Sequence, residues 1–114
     1  MQAFSDTIQR RKYPRRKFRR GVSTLCLGAY ALVTGFEIGE GGLAFFSEEP
    51  LEEGVHLIVN FQIHEGSFMS VRGIVRNKRE EAGRTVYGVS FENLKFEWRR
   101  EIRNFVTART SNEH

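Results

Sequence analysis

The sequence predicts a mainly β protein, a six-stranded antiparallel β-barrel followed by a C-terminal α-helix. Turn residues recur about every ten residues between positions 22 and 91, which favours short antiparallel strands in one small domain. Residues 55–63 alternate apolar and polar side chains, the pattern of a half-buried strand. From residue 96 onward the apolar residues change to helical spacing.

The six strands follow from apolar and β-branched runs that are separated by turn residues. They are predicted at residues 22–27, 30–38, 43–46, 55–63, 68–76 and 85–91. Gly28 and Ala29 form the first hairpin turn, a glycine-rich turn covers residues 39–42, and residues 79–84 form a charged turn. The helix is predicted over residues 96–109, because Trp98, Ile102 and Val106 recur every four residues.

The positive charge is concentrated at the N-terminus. Residues 1–20 hold eight basic residues and one acid, whereas the rest of the chain is net acidic. Pro14 favours an extended conformation at Tyr13. We therefore expect one domain in two parts, a basic arm over residues 1–20 and the barrel with its helix over residues 21–110. A cluster of this kind attracts phosphates, on a nucleotide, a nucleic acid or a membrane surface.

Several function classes are not supported by the sequence. The single cysteine, Cys26, excludes an internal disulfide, and the three histidines show no ligand spacing with it, so no metal is expected. No nucleophile motif or acid–base pair stands out, which predicts a protein that is not an enzyme and needs no cofactor. No apolar run approaches the length of a membrane span, and the N-terminus lacks a signal-peptide core, so a cytoplasmic protein without membrane insertion is expected.

Two motifs then carry a resemblance to a known family. Arg11-Lys12-Tyr13-Pro14-Arg15 matches an RxxxR motif just before the first barrel strand. Residues 37–42, Glu-Ile-Gly-Glu-Gly-Gly, lie where a D/N-x-S-x-x-G motif would follow, and residues 87–91 look like the last strand of the same family. With this order of elements, residues 10–108 resemble a PilZ domain, a β-barrel that binds the bacterial second messenger cyclic di-GMP.

The resemblance implies a set of ligand-binding residues: Arg10, Arg11, Arg15, Arg16, Glu37, Gly39 and Gly42. Arginine forks donate to guanine O6 and N7, and Arg10 or Arg16 would neutralise phosphate. Glu37, one methylene longer than the family's aspartate, would accept from guanine N1–H and N2–H. Gly39 stands where the family has serine, so Glu37→Asp with Gly39→Ser is expected to tighten binding by rebuilding the motif.

The resemblance implies a receptor or adaptor that passes the cyclic di-GMP signal to a protein partner. One alternative is a PilZ domain that does not bind the nucleotide and acts as a protein-interaction module, which the altered Glu37 and Gly39 support. A second alternative is a nucleic-acid-binding barrel that uses the same arm with aromatic side chains for base stacking. Nucleic acid is the less favoured partner, because the barrel body is net acidic.

Overall fold

The computed structural model describes residues 13–63 and 65–112, with the backbone alone for residues 109–112. Its elements are β1 (Arg15–Lys17), β2 (Gly21–Cys26), β3 (Ala29–Gly39), β4 (Gly42–Phe46), β5 (His56–Gln62), β6 (Phe68–Glu81), β7 (Arg84–Glu92) and α1 (Phe96–Asn112). The prediction of a mainly β fold with a C-terminal helix is confirmed.

Six of the strands close into an antiparallel barrel. The hydrogen-bonded order is β3-β2-β5-β6-β7-β4, and pairing between β3 and β4 closes the ring. The closed sheet confirms the predicted six-stranded barrel. Within the described residues, no helix has both the length and the apolarity that a membrane span requires.

The seventh strand, β1, is an addition to the barrel that comes from the basic segment. It pairs antiparallel with the end of β3, with Arg15 opposite Gly39 and Lys17 opposite Glu37. Sequence reasoning predicted this segment as an extended arm. The pairing fixes that arm beside the glycine-rich turn between β3 and β4.

The barrel interior holds the main hydrophobic core, and α1 packs against it. The alternation predicted for residues 55–63 is confirmed, since Leu57, Val59, Phe61 and Ile63 are all buried. The largest fully buried side chains are Phe18, Phe45, Phe61, Ile38, Met69 and Ile102. The arm and the helix meet in this core, because the ring of Phe18 lies edge-on to that of Phe105 at 6.1 Å.

Two hairpins differ from their predicted boundaries. The β2–β3 turn is Leu27-Gly28, one residue earlier than predicted, because both residues have positive φ (52° and 81°) and Cys26 pairs with Ala29. The charged turn predicted for residues 79–84 is wrong. β6 continues to Glu81, opposite Arg84, because Ala82 and Gly83 have positive φ and form a two-residue turn.

Candidate functional site

A pocket of about 560 Å³ lies on the barrel surface beside the arm. Its wall comes from β1, the β3–β4 turn and the facing stretches of β6 and β7. The polar side chains that line it include Arg15, Glu37, Arg76, Asn77, Arg79 and Ser90. Three guanidinium groups and one carboxylate line the pocket. The pocket therefore suits a ligand that carries negative charge and that also has hydrogen-bond donors for the carboxylate.

The pairing of β1 with β3 brings Arg15 and Glu37 together. The Nη1 of Arg15 lies 3.4 Å from the Oε2 of Glu37, and the Nη2 of Arg79 lies 3.7 Å from the same oxygen. The Glu37 side chain is 17% exposed, and those of Arg15 and Arg79 are 39% exposed. The carboxylate is therefore held between two arginines. Arg79 also contacts a second carboxylate, because its Nε donates to the Oε2 of Glu81 at 3.2 Å.

Gly42 permits the tight pairing of β4 with β7. It lies opposite Ser90 in the ladder. A Cβ atom at this position would overlap the carbonyl oxygen of Val89. Only glycine therefore fits where the closing glycine of the predicted motif stands.

Gly39 lies directly beneath the arm. A Cβ atom there would lie 2.8 Å from the carbonyl oxygen of Pro14 and 3.3 Å from the Cγ of Arg15. The φ of Gly39 is not positive, so the constraint is the neighbouring backbone and not a left-handed conformation. Gly39, which stands in place of the serine of the predicted motif, therefore lies where the arm approaches closely.

Arg16 is not brought to the pocket. It lies on the opposite face of β1 from Arg15, where its Nη1 donates to the carbonyl oxygen of Phe105 at 2.9 Å. Its guanidinium carbon also lies 4.1 Å from the centre of the Phe105 ring. In this arrangement Arg16 fastens the arm to α1. The other two predicted arginines, Arg10 and Arg11, lie outside the described residues.

Sequence reasoning missed Arg76 and Arg79 as pocket residues. A β-bulge between Val75 and Asn77 turns the chain at Arg76, whose Nε donates to the Oγ of Ser90 at 2.9 Å. Arg79 was assigned to a turn, but it lies in β6 and its guanidinium carbon is 5.4 Å from the Phe36 ring centre. One sequence signal could have indicated that β6 extends past position 76 and carries basic side chains. The basic residues continue there without a proline or glycine to end the strand.

Sequence reasoning also missed Glu40, which lies in the glycine-rich turn but faces α1. Its side chain is 8% exposed and accepts from the Nε and Nη2 of Arg103, at 2.9 and 3.2 Å. The Nη1 of Arg99 lies 3.8 Å from the same carboxylate. The hydrogen bond and the charge of Glu40 raise the pKa of Arg103. The spacing of Arg99 and Arg103, four residues apart on one helix, was the signal for a shared acidic partner.

The described residues contain no group of three or more His, Cys, Asp or Glu side chains arranged to hold a metal ion.

Comparison with known proteins finds one matching family model. A model described as PilZ domain matches residues 9–108, which is most of the chain. Comparison with curated protein sequences gives no match.

Solved structures of similar fold share little sequence with the chain. The structure of the Bacillus subtilis inhibitor of motility (MotI/DgrA) matches with a TM-score of 0.84 at 15% identity, over 93% of this chain and 54% of that one. Escherichia coli YcgR in complex with c-di-GMP matches at 0.71 and 17% identity, over 90% and 46%. The E. coli YcgR PilZ domain with c-di-GMP matches at 0.67 and 14% identity, over 92% and 96%. These likenesses establish the fold, and the chain spans about half the length of the first two proteins.

Proposed function

Because the chain belongs to the PilZ domain family, we propose that it is a receptor for cyclic di-GMP, which binds in the pocket beside the arm. The observation that carries the proposal is the pair Arg15 and Glu37, held side by side in a pocket that also contains Arg76 and Arg79. Similar structures that contain c-di-GMP support the same ligand class.

The chemistry of the pair matches the edges of a guanine base. A guanidinium donates two parallel hydrogen bonds to O6 and N7, and a carboxylate accepts from N1–H and N2–H. Arg15 and Glu37 would therefore read the two edges of guanine. The free N–H groups of Arg76 and Arg79 would face the phosphates, and Gly42 keeps the β4–β7 wall closely paired.

The remaining predicted residues enter the proposal in different ways. Arg10 and Arg11 are proposed as ligand residues on the strength of the RxxxR motif, since Arg11 is its first arginine. Arg16 would have to leave the Phe105 carbonyl before it could neutralise a phosphate. We propose Gly39 as the position that lets the arm lie close to the ligand, because its missing side chain accommodates the Pro14 carbonyl.

As a receptor without catalytic activity, the protein would pass the signal to a protein partner. The division into an arm over residues 1–20 and a barrel over residues 21–110 is part of this proposal. Glu40 connects the ligand turn to α1, so a change at the pocket can reach the helix surface through the Arg103 ion pair. A cytoplasmic location is proposed, because the ligand is an intracellular messenger.

Isothermal titration calorimetry with cyclic di-GMP tests the proposal, with GMP and a short single-stranded oligonucleotide as competing ligands. Arg15→Ala should reduce affinity at least about tenfold, because it removes a charge-assisted contact. The matched control is Arg20→Ala, which removes the same charge from an exposed position that does not line the pocket.

Two results would contradict the receptor proposal, and a third would contradict the proposed site. No binding by the folded parent would identify an interaction module that does not read the nucleotide. Preference for the oligonucleotide would identify a nucleic-acid-binding barrel. Equal affinities for the parent and Arg15→Ala would move the site away from the Arg15–Glu37 pair.

A further inference from the structure

The N-terminal half of β3 has an open edge. Residues 29–34 pair with β2 on one side, whereas β4 pairs on the other side only with residues 34–39. In the part of the chain that the structure describes, residues 29–33 have no strand partner on that second side and make no other backbone hydrogen bond there. Alternate N–H and C=O groups of this stretch therefore face solvent and can accept another strand.

The side chains of the same hairpin are unusually apolar for a surface. Leu32 is 88% exposed, Tyr30 is 73% exposed, and Leu27 at the turn is 89% exposed. Leu27 also has positive φ, at a turn position where Asn, Asp or Gly is preferred. Several exposed apolar side chains beside an open backbone edge are typical of a binding surface.

The edge lacks the charged residues, proline and bulge that commonly prevent strand pairing. Residues 21–36 contain no Asp, Glu, Lys or Arg, in a chain of which 28% is charged. Residues 29–33 also contain no proline, and the β-bulge of β3 lies further along, between Gly35 and Glu37. Sheet edges that must stay unpaired usually have lysine, proline or a bulge.

We propose that residues 29–33 of β3 pair antiparallel with the same edge of a second copy of the chain. With a two-fold axis near Ala31, Tyr30 of each copy faces Leu32 of the other. Aromatic and aliphatic residues opposite each other stabilise antiparallel strands, and the symmetry forms this pair twice. The sequence of the edge is therefore complementary to itself.

Charge favours a second copy as the occupant. The edge offers no charge to a charged peptide, so complementarity with an acidic or basic partner is absent. Two copies that each carry a net charge of +4 repel each other, and contact is least unfavourable at a neutral surface. The pocket and arm lie at the other end of β3, about 20 Å away by strand geometry, so their arginines stay apart.

This proposal is independent of ligand binding, because none of residues 29–33 lines the arginine pocket. Sedimentation velocity of the full chain from about 5 to about 500 μM should show a reversible monomer–dimer equilibrium, as expected for a small interface. Leu32→Lys should raise the dimer dissociation constant at least about tenfold, because it places like charges close to the axis. Tyr30→Lys provides a second variant of the same kind.

The matched control is Phe96→Lys, which changes an aromatic residue that is 63% exposed but lies at the start of α1. It should dimerise as the parent does. Amide hydrogen exchange gives a separate test, since the alternate N–H groups of residues 29–33 that face the open edge should become protected as protein concentration rises. A parent that stays monomeric, equal dimerisation by Leu32→Lys and Phe96→Lys, or exchange that does not depend on concentration would overturn the proposal.

Discussion

Arg103 of α1 binds the carboxylate of Glu40 through two N–H groups, at 2.9 and 3.2 Å, and so joins the C-terminal helix to the turn between β3 and β4. The carboxylate is nearly buried, whereas half of the Arg103 side chain remains exposed. The ion pair therefore fixes the β3–β4 turn on the side that faces α1, whereas the glycines of the turn face the pocket.

We predict that Glu40→Ala lowers the free energy of unfolding by about 1–2 kcal/mol, since a nearly buried carboxylate loses charge-assisted hydrogen bonds. Arg103→Lys should have a smaller effect in the same direction, because an ammonium cannot reproduce the two-pronged contact. Urea denaturation followed by circular dichroism measures both changes.

The control for the Glu40 variant is Glu53→Ala, which removes an acid from the exposed loop before β5. It should leave the denaturation midpoint within error of the parent. If Glu40→Ala and Glu53→Ala have the same midpoint, the ion pair does not stabilise the fold.

Much of the barrel was predictable from the sequence, because strand alternation and turn residues are local signals. Val59 and Phe61 are buried as their alternation indicates, and Ile102 enters the core from the helical stripe. β1 was not predicted as a strand, because three charged residues pair only where β3 offers an edge. The orientation of Glu40 toward α1 depends on helix docking, which no local pattern encodes.

For the site residues too, local sequence motifs predicted some positions, whereas others depend on pairing between distant strands. The motifs identified Arg15, Glu37, Gly39 and Gly42, and all four line the pocket. Arg16 differs from Arg15 only by its face of β1, and that face is set by pairing with β3. Arg76 enters the pocket through a β-bulge, which depends on the register between β6 and β7.

We predict that Gly42→Ala destabilises the protein by about 3 kcal/mol, because the added Cβ would overlap the backbone of β7 and no rotamer change can relieve it. Thermal unfolding measured by circular dichroism tests this. Gly21→Ala is the matched control, since a Cβ there meets no atom within 4 Å. A Gly42→Ala protein that melts with the parent would show that β4 and β7 can move apart freely.

We predict that Gly39→Ser destabilises the protein by about 1–3 kcal/mol, because its Cβ would lie 2.8 Å from the Pro14 carbonyl oxygen. The sequence pattern alone predicts a different effect, tighter cyclic di-GMP binding when Gly39→Ser is combined with Glu37→Asp. The structure shows that the arm occupies the space that a serine side chain at position 39 would need.

Differential scanning calorimetry of Gly39→Ser beside Gly21→Ser separates this clash from a general cost of replacing glycine. Glu37→Asp should be made separately, because it leaves the Pro14 contact unchanged. A Gly39→Ser protein as stable as Gly21→Ser, with tighter cyclic di-GMP binding, would support the original expectation and contradict the steric argument.

The last prediction concerns Arg76, whose position follows from the structure and not from the sequence motifs. It lines the pocket, and its Nε donates to Ser90, which leaves its terminal N–H groups available for a phosphate. Arg76→Ala should therefore weaken cyclic di-GMP binding about tenfold, the effect of losing one charge-assisted contact. The loss should shrink as salt concentration rises, because screening weakens the phosphate contact in the parent.

The matched control for Arg76→Ala is Arg84→Ala, which removes the same charge from β7. Arg84 lies 4.1 Å from the Phe46 ring centre and does not line the pocket. Removing it changes the net charge by the same amount, so any general electrostatic attraction of the ligand falls equally in both variants. Calorimetric titration at low and high salt should give an affinity for Arg84→Ala close to the parent value. Equal losses for Arg76→Ala and Arg84→Ala would show that the barrel attracts the nucleotide by overall charge, with no contact from Arg76.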